Sequence, residues 1–79
     1  MEKLEDLLSY IIKELVEKKD QVKIEHDTAD DTITFRVNVA KGEMGKIIGK
    51  NGLTANTIRG VMQAAGIKEK HNVNVEFMD

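Results

Sequence analysis

The stretch Met44-Gly45-Lys46-Ile47-Ile48-Gly49-Lys50-Asn51-Gly52 constrains the fold of this chain more than any other, because glycine, lysine and aliphatic residues crowd together there. Gly49 and Gly52 bracket a short polar pair, an apolar couple precedes them and helix-forming residues follow. Glycine lacks a Cβ and takes conformations closed to other residues, so backbone at this bracket leaves its amide N–H groups unshielded. A helix that starts at Gly52 or Leu53 aims its N-terminal amides and its dipole at the same spot. The chain must therefore break sharply between two helical segments, and the break suits a negatively charged group such as a phosphate.

Seventy-nine residues are read as one domain, 1–79, small but able to bury a core without staples. Cysteine is absent, which removes disulfides and thiolate metal sites and fits a reducing cytoplasm. His26 and His71 have no paired ligand spacing, so no metal site and no cofactor are expected; both read as partly exposed strand histidines. The N-terminus alternates charged and apolar residues, unlike a signal peptide, and nothing approaches the roughly twenty apolar residues of a membrane span. Net charge is −2, but its distribution matters more. Residues 1–40 hold six basic and ten acidic side chains, whereas residues 41–70, which contain the glycine bracket, hold six basic and two acidic. An acidic remainder opposes indiscriminate binding to nucleic acid and leaves the bracket locally positive.

Leu4, Leu7, Leu8, Ile11, Ile12, Leu15 and Val16 fall on one stripe of an amphipathic helix. Lys18 and Lys19 are expected in its last turns, with Glu14 and Lys18 as an i,i+4 pair. From Gln21 the period changes to two, placing Val22, Ile24 and His26 on one face of a strand. Thr28-Ala29-Asp30-Asp31 reads as a turn with solvated carboxylates, and Thr32 to Val39 as a second strand with Ile33, Phe35, Val37 and Val39 inward. A short helical turn is predicted from Glu43 to Ile48. A longer helix is predicted from Leu53 to Ala65, with Gly66 as its stop. On that helix Thr57, Gly60 and Ala64 make a small-residue stripe. Glycine in a helix interior costs about 0.5–1 kcal/mol against alanine, so Gly60 is explained by close packing against the first helix or a second copy of the protein. Val73, Val75 and Phe77 alternate with Asn72, Asn74, Glu76 and Met78 in a third strand. Helices must cover one face of so small a sheet, giving a two-layer α+β domain.

Two GxxG strings occur. Gly42-Glu43-Met44-Gly45 carries an acid and an apolar methionine, poor material for an anion clamp, and its glycines read as turn and packing residues. Gly49-Lys50-Asn51-Gly52 has the favourable chemistry. A Walker loop fails because Met44 and Asn51 stand where glycine and a hydroxyl belong, and no two glycines are separated by a single residue as a dinucleotide fingerprint requires. With no nucleophile and base pair either, an enzyme is not expected.

Gly45-Lys46-Ile47-Ile48-Gly49-Lys50-Asn51-Gly52, followed by Ala55 and Ile58-Arg59, resembles the signature of the KH domain. The helix-strand-strand-helix-helix-strand order is similar to its type II arrangement, and among type II proteins the chain resembles the small stand-alone bacterial RNA-binding proteins of the KhpA type. Ala55 stands where many KH domains have a larger aliphatic residue, which implies closer helix packing or a shallower groove. The resemblance implies single-stranded RNA binding, in a post-transcriptional regulator or RNA chaperone, with Gly49, Lys50, Asn51 and Gly52 on the sugar-phosphate backbone. Ile47 and Ile48, with Val37 and Val39 of the hairpin, would border a groove for bases, one of the isoleucines being mainly structural. Lys46 and Arg59 are candidates for further phosphate contacts. Phe35 and Phe77 run in phase with the core, so stacking platforms are not expected. The resemblance also implies self-association, or pairing with a second KH protein of the KhpB (Jag) type, and the Thr57, Gly60 and Ala64 stripe is the candidate surface. The alternatives are a module that chiefly pairs proteins and one that binds single-stranded DNA.

Overall fold

The elements change type where the hydrophobic period changes, as seen in a computed structural model of the chain that describes residues 2–78. In order they are α1 (Glu2–Leu15), a 3-10 turn (Lys19–Gln21), β1 (Lys23–Ala29), β2 (Thr32–Asn38), α2 (Met44–Ile48), a second 3-10 turn (Lys50–Gly52), α3 (Leu53–Lys68) and β3 (Asn72–Phe77). The sheet order is β1-β2-β3, with β1 antiparallel and β3 parallel to the central β2. Odd positions Ile33, Phe35 and Val37 of β2 are buried, as are Val73 and Val75 of β3, and they meet Leu4, Leu8, Ile12 and Val16 from the α1 stripe. Ile47, Ile58 and Met62 complete this core from the other two helices. The helices thus cover one face of a mixed sheet, the α+β architecture expected.

β1 starts at Lys23 rather than Gln21, β2 ends at Asn38 rather than Val39 and α2 starts at Met44 rather than Glu43, and three further differences from expectation have a tertiary reason. The first is the end of α1, which stops at Leu15 with Lys13 in its last turn, leaving Lys18 and Lys19 outside. The amides of Glu17 and Lys18 donate not to helix carbonyls but to the two carboxylate oxygens of Glu43, at 2.8 and 3.2 Å. Glu14 accordingly approaches Lys19, at 3.9 Å, rather than Lys18. The second is the hairpin, where β1 continues through Thr28 and Ala29 because Ala29 pairs with Thr32. The turn is only Asp30 and Asp31. His26 lies opposite Phe35, their ring centroids 5.9 Å apart, and its Nδ1 sits 3.2 Å from Glu5 Oε1. The third is Gly66, which lies inside α3 and is buried. A Cβ there would strike the Val73 side chain and come within 2.9 Å of the His71 carbonyl oxygen. Close approach of β3, rather than termination, requires the glycine.

α3 ends instead at a Schellman motif. His71 N–H donates to Gly66 O at 2.8 Å and Lys70 N–H to Ile67 O at 3.0 Å, with Lys70 in the left-handed region at φ 64°. Lys70→Gly is expected to raise stability by about 0.5–1 kcal/mol, because glycine takes this conformation without a Cβ penalty. Gly66→Ala is expected to lower it by about 1–3 kcal/mol through overpacking against Val73. Thermal denaturation of both variants checks the pair, and equal shifts of the same sign would contradict the assignment.

Glu43 precedes α2 and is 6% exposed. The Glu17 amide above all, with the Lys18 amide and the Lys46 ammonium, holds its carboxyl below the ordinary glutamate range, against the opposing effect of burial. A group whose pKa is depressed on folding stabilises the native state above its unfolded value, and that contribution is lost as pH falls through the folded one. Glu43→Gln is therefore expected to lower the melting temperature at neutral pH. The gap between the variant and the parent should close as pH drops below about 4.3. Calorimetry across that range measures it, and a gap independent of pH would rule out the ionised carboxylate as the source.

Candidate nucleic-acid interface

The apolar residues of α2 point into the core while the segment after it turns outward. Ile47 is fully buried and Ile48 half-buried, so Ile47 is the structural member of the couple. Gly49 then takes φ 72° and ψ −178°, a region essentially restricted to glycine, while its N–H donates to Gly45 O at 3.0 Å. A Cβ at Gly49 would collide with the Thr54 side chain, so the backbone also lies directly on α3. Asn51 follows in the left-handed region at φ 56° and ψ 26°, and Gly52 at φ 74° and ψ 11°. Three of the four GxxG residues thus have positive φ. Lys50 and Asn51 are left exposed on the crest of the turn.

Gly52 is the N-cap residue of α3 and offers no side-chain oxygen to the first-turn amides. The Gly52 and Leu53 amides donate to Gly49 O and Lys50 O of the preceding turn, while the next N–H groups of the first turn lack carbonyl partners within the helix, and the helix dipole adds partial positive charge at the same end. Lys50 beside them makes no ion pair among the described residues. The combination can hold an anionic oxygen against bare backbone with a mobile cation alongside.

The other expected residues divide. Lys46 is exposed, but its Nζ lies 3.3 Å from Glu17 Oε1 and 3.3 Å from Glu43 Oε1. Glu17 first, then Glu43, raises the ammonium's pKa, so its charge is already balanced within the fold. Arg59 reaches across to β3, its Nε donating to Val75 O at 3.2 Å and its guanidinium carbon 5.0 Å from the Phe77 ring centroid. Val37 does not line an open groove: it is fully buried on the central strand, flanked by β1 and β3. Val39 is half-buried beyond the strand end. The strand beside α3 with a free edge is β3, which Arg59 meets, while Ile48 directly precedes the loop. Ala55 is buried in the core.

Thr57, Gly60 and Ala64 are all exposed, and a Cβ on Gly60 would meet nothing within 4 Å. Packing against α1 is therefore not the reason for this glycine. Gly45, expected to pack, is exposed with equally open surroundings, while Gly42 does occupy a turn at φ 89°. Sequence reasoning missed an apolar groove of about 440 Å³ between α1 and α3, lined by Tyr10, Ile11, Leu15, Leu53, Thr57 and Ile58. Tyr10 and Leu53 are 66% and 69% exposed there. Tyr10 falls at the margin of the α1 stripe and Leu53 at a helix start, where periodicity is least informative. Among the described residues, no cluster of three potential metal ligands occurs and no helix is long and apolar enough to cross a membrane.

A family model for the KH domain of KhpA and KhpB matches residues 5–77. The RNA-binding protein KhpA of Bacillus subtilis is 38% identical over 76 residues, covering 96% of this chain and 94% of that protein. Its namesake from Clostridium acetobutylicum is 40% identical over 75 residues, covering 95% and 100% respectively. That of Chlamydia trachomatis serovar D is 36% identical over 76 residues, covering 96% and 97%. No solved structure gives a significant match. With the glycine turn, the strand order and relatives matched over nearly their whole length, this chain belongs to the KhpA/KhpB family of KH domains.

Proposed function

We propose that the chain binds single-stranded RNA, with the Gly49-Lys50-Asn51-Gly52 turn against the sugar-phosphate backbone and the bases directed toward Ile48, Arg59 and the β3 edge. The observation that carries this reading is the positive φ at Gly49, Asn51 and Gly52, which turns the crest of the loop outward beside a start of α3 that no side chain caps. Relatives named as RNA-binding proteins, similar over nearly their full length, support RNA as the ligand. KH domains clamp about four nucleotides in this way. Lys50 is the cation for phosphate, and Asn51 adds an amide donor. Arg59 would contact the strand only by leaving Val75 O, and Lys46 only by leaving its two carboxylates, so both are secondary. With Phe35 buried and Phe77 beneath the Arg59 guanidinium, base reading falls to backbone groups and aliphatic contacts, and sequence preference is modest. No catalytic constellation is assigned. The working context is the cytoplasm, in post-transcriptional regulation or RNA chaperoning.

A second reading concerns assembly. Gly60 in the interior of α3 has no neighbour among the described residues that explains it, and with Thr57 and Ala64 it presents a helix face to solvent. We infer that this face meets another KH domain, a second copy or a KhpB-type partner, which would approach α3 closely enough to require glycine. The matched family model covers KhpA and KhpB alike.

Exchanging Lys50 and Asn51 together for aspartate is expected to weaken binding of short single-stranded RNA at least about tenfold, equivalent to about 1.4 kcal/mol. The far-UV spectrum and melting cooperativity should not change. Anisotropy titration measures the loss, and unaltered affinity would remove the clamp. Competition with matched DNA oligomers separates RNA from single-stranded DNA, since the 2′-hydroxyl is what distinguishes them on the backbone. For assembly, Gly60→Leu is expected to shift sedimentation from dimer toward monomer. A parent protein that stays monomeric at high concentration, alone and mixed with a KhpB-type protein, would eliminate this surface.

A further inference from the structure

The α3 helix runs on from the loop for 16 residues, and one of its sides follows the open edge of β3. Asn56, Arg59, Gln63 and Ile67 succeed one another at spacings of three, four and four along that side. Arg59 Nη1 lies 3.2 Å from Asn56 Oδ1 while its Nε is held by Val75 O, so this stripe faces the strand. The strand's polarity follows from its end bonds. Asn72 and Met78 donate their amides toward β2, to Asp31 O and Val37 O at 2.8 Å each. Backbone groups alternate sides along a strand, so those of Val73, Val75 and Phe77 point outward, toward the helix stripe.

Where α3 turns into β3 there is a cavity of about 400 Å³, lined in part by Thr32, Gln63, Ile67, His71, Asn72 and Asn74. Gln63 lies eleven residues beyond Gly52, about 16 Å along the helix at 1.5 Å per residue. Ile67, 73% exposed, is a large apolar side chain on the rim with no core role. His71 Nδ1 is buried and has no hydrogen-bond partner among the described residues. That nitrogen is closed off from solvent, so it does not itself face the cavity that His71 lines. The lining is amide, hydroxyl, imidazole and aliphatic rather than cationic. Amide side chains match the donor and acceptor pairs on base edges, and the Ile67 side chain and His71 ring offer faces for stacking. A phosphate would find no such match there, although Lys70 lies beside the adjoining cavity that His71 also lines.

We propose that this cavity accepts a nucleobase of the same RNA strand that the glycine turn clamps, one further along than those held at the loop. This rests on the RNA-binding reading and extends the contact down the α3–β3 edge. Gln63 and Ile67 are exposed helix positions, so Gln63→Ala with Ile67→Ala preserves the fold, alanine being the best helix former.

The test is anisotropy titration of the parent and this double variant with oligoadenylate and oligouridylate, in a series of lengths from about four nucleotides upward. Expected are equal affinities for the shortest oligomers and a loss of about tenfold in the variant, about 1.4 kcal/mol, once the oligomer is long enough to reach the cavity. Longer oligomers offer more binding registers to both proteins alike, so only the difference between them reports the cavity. A variant that follows the parent at every length, or that loses equally at every length, overturns the proposal. So does a parent that binds no oligomer, but that result also removes the clamp. Length-independent binding that still depends on Lys50 and Asn51 removes the cavity alone.

Discussion

A single carboxylate organises the surroundings of the loop. Glu43 draws the amides of Glu17 and Lys18 out of helical bonding, ends α1, and ties the segment before β1 to the start of α2. It also engages the Lys46 ammonium, together with Glu17. The approach angle of α2, and hence the position of the glycine turn that follows it, depends on a contact made 25 and 26 residues back in the chain. Such a bond to a charged acceptor is stronger than one between neutral groups, and its loss leaves two amides without their partner.

The same contact distributes charge. Residues 41–70 carry a surplus of basic side chains, but the fold does not present them uniformly. Lys46 is balanced by two carboxylates, Arg59 is tied to a backbone carbonyl and an aromatic ring, and Lys50 remains on the crest. Elsewhere Arg36 is paired with Asp27 at 2.7 Å on the sheet face away from the helices, so that face offers an anionic strand little. Lys41, Lys68 and Lys70 are exposed away from the loop, so within the loop itself Lys50 is the cation that stands where the start of α3 is turned outward.

Element types and their order were legible because each segment keeps one hydrophobic period and the glycine bracket separates the two later helices. The inward sides of β2 and β3 and the buried α1 stripe followed from the same periodicity. What was not legible depended on partners distant in sequence. Val37 reads as one wall of a groove as long as the hairpin is considered by itself, but β3 enters parallel beside β2 and buries it. Gly66 has the chemistry of a helix stop, yet its lack of a side chain serves the approach of Val73 and the His71 carbonyl. Asn51 looked like a hydrogen-bonding side chain, and it is also a backbone residue in a left-handed conformation that asparagine tolerates better than most. The apolar groove at Tyr10 and Leu53 left no periodic trace, since each stands at the edge of its element's pattern.

The geometry also bears on affinity. On the proposed reading, a turn of four residues would meet only about four nucleotides and its single lysine would release few counterions, so a lone clamp would bind weakly and lose affinity as salt rises. Affinity can grow in two ways without changing the turn. Contact can continue along the α3 side that faces β3, adding bases, or a second domain can be joined so that two clamps act on one strand at high effective concentration. The two stripes lie next to each other on the same helix: Asn56, Arg59, Gln63 and Ile67 toward the strand edge, and Thr57, Gly60 and Ala64 beside them toward solvent. Because Asn56, Gly60 and Ala64 follow one another at i,i+4, a partner seated close on Gly60 would crowd the strand-edge stripe, so the two routes to higher affinity compete for part of one surface.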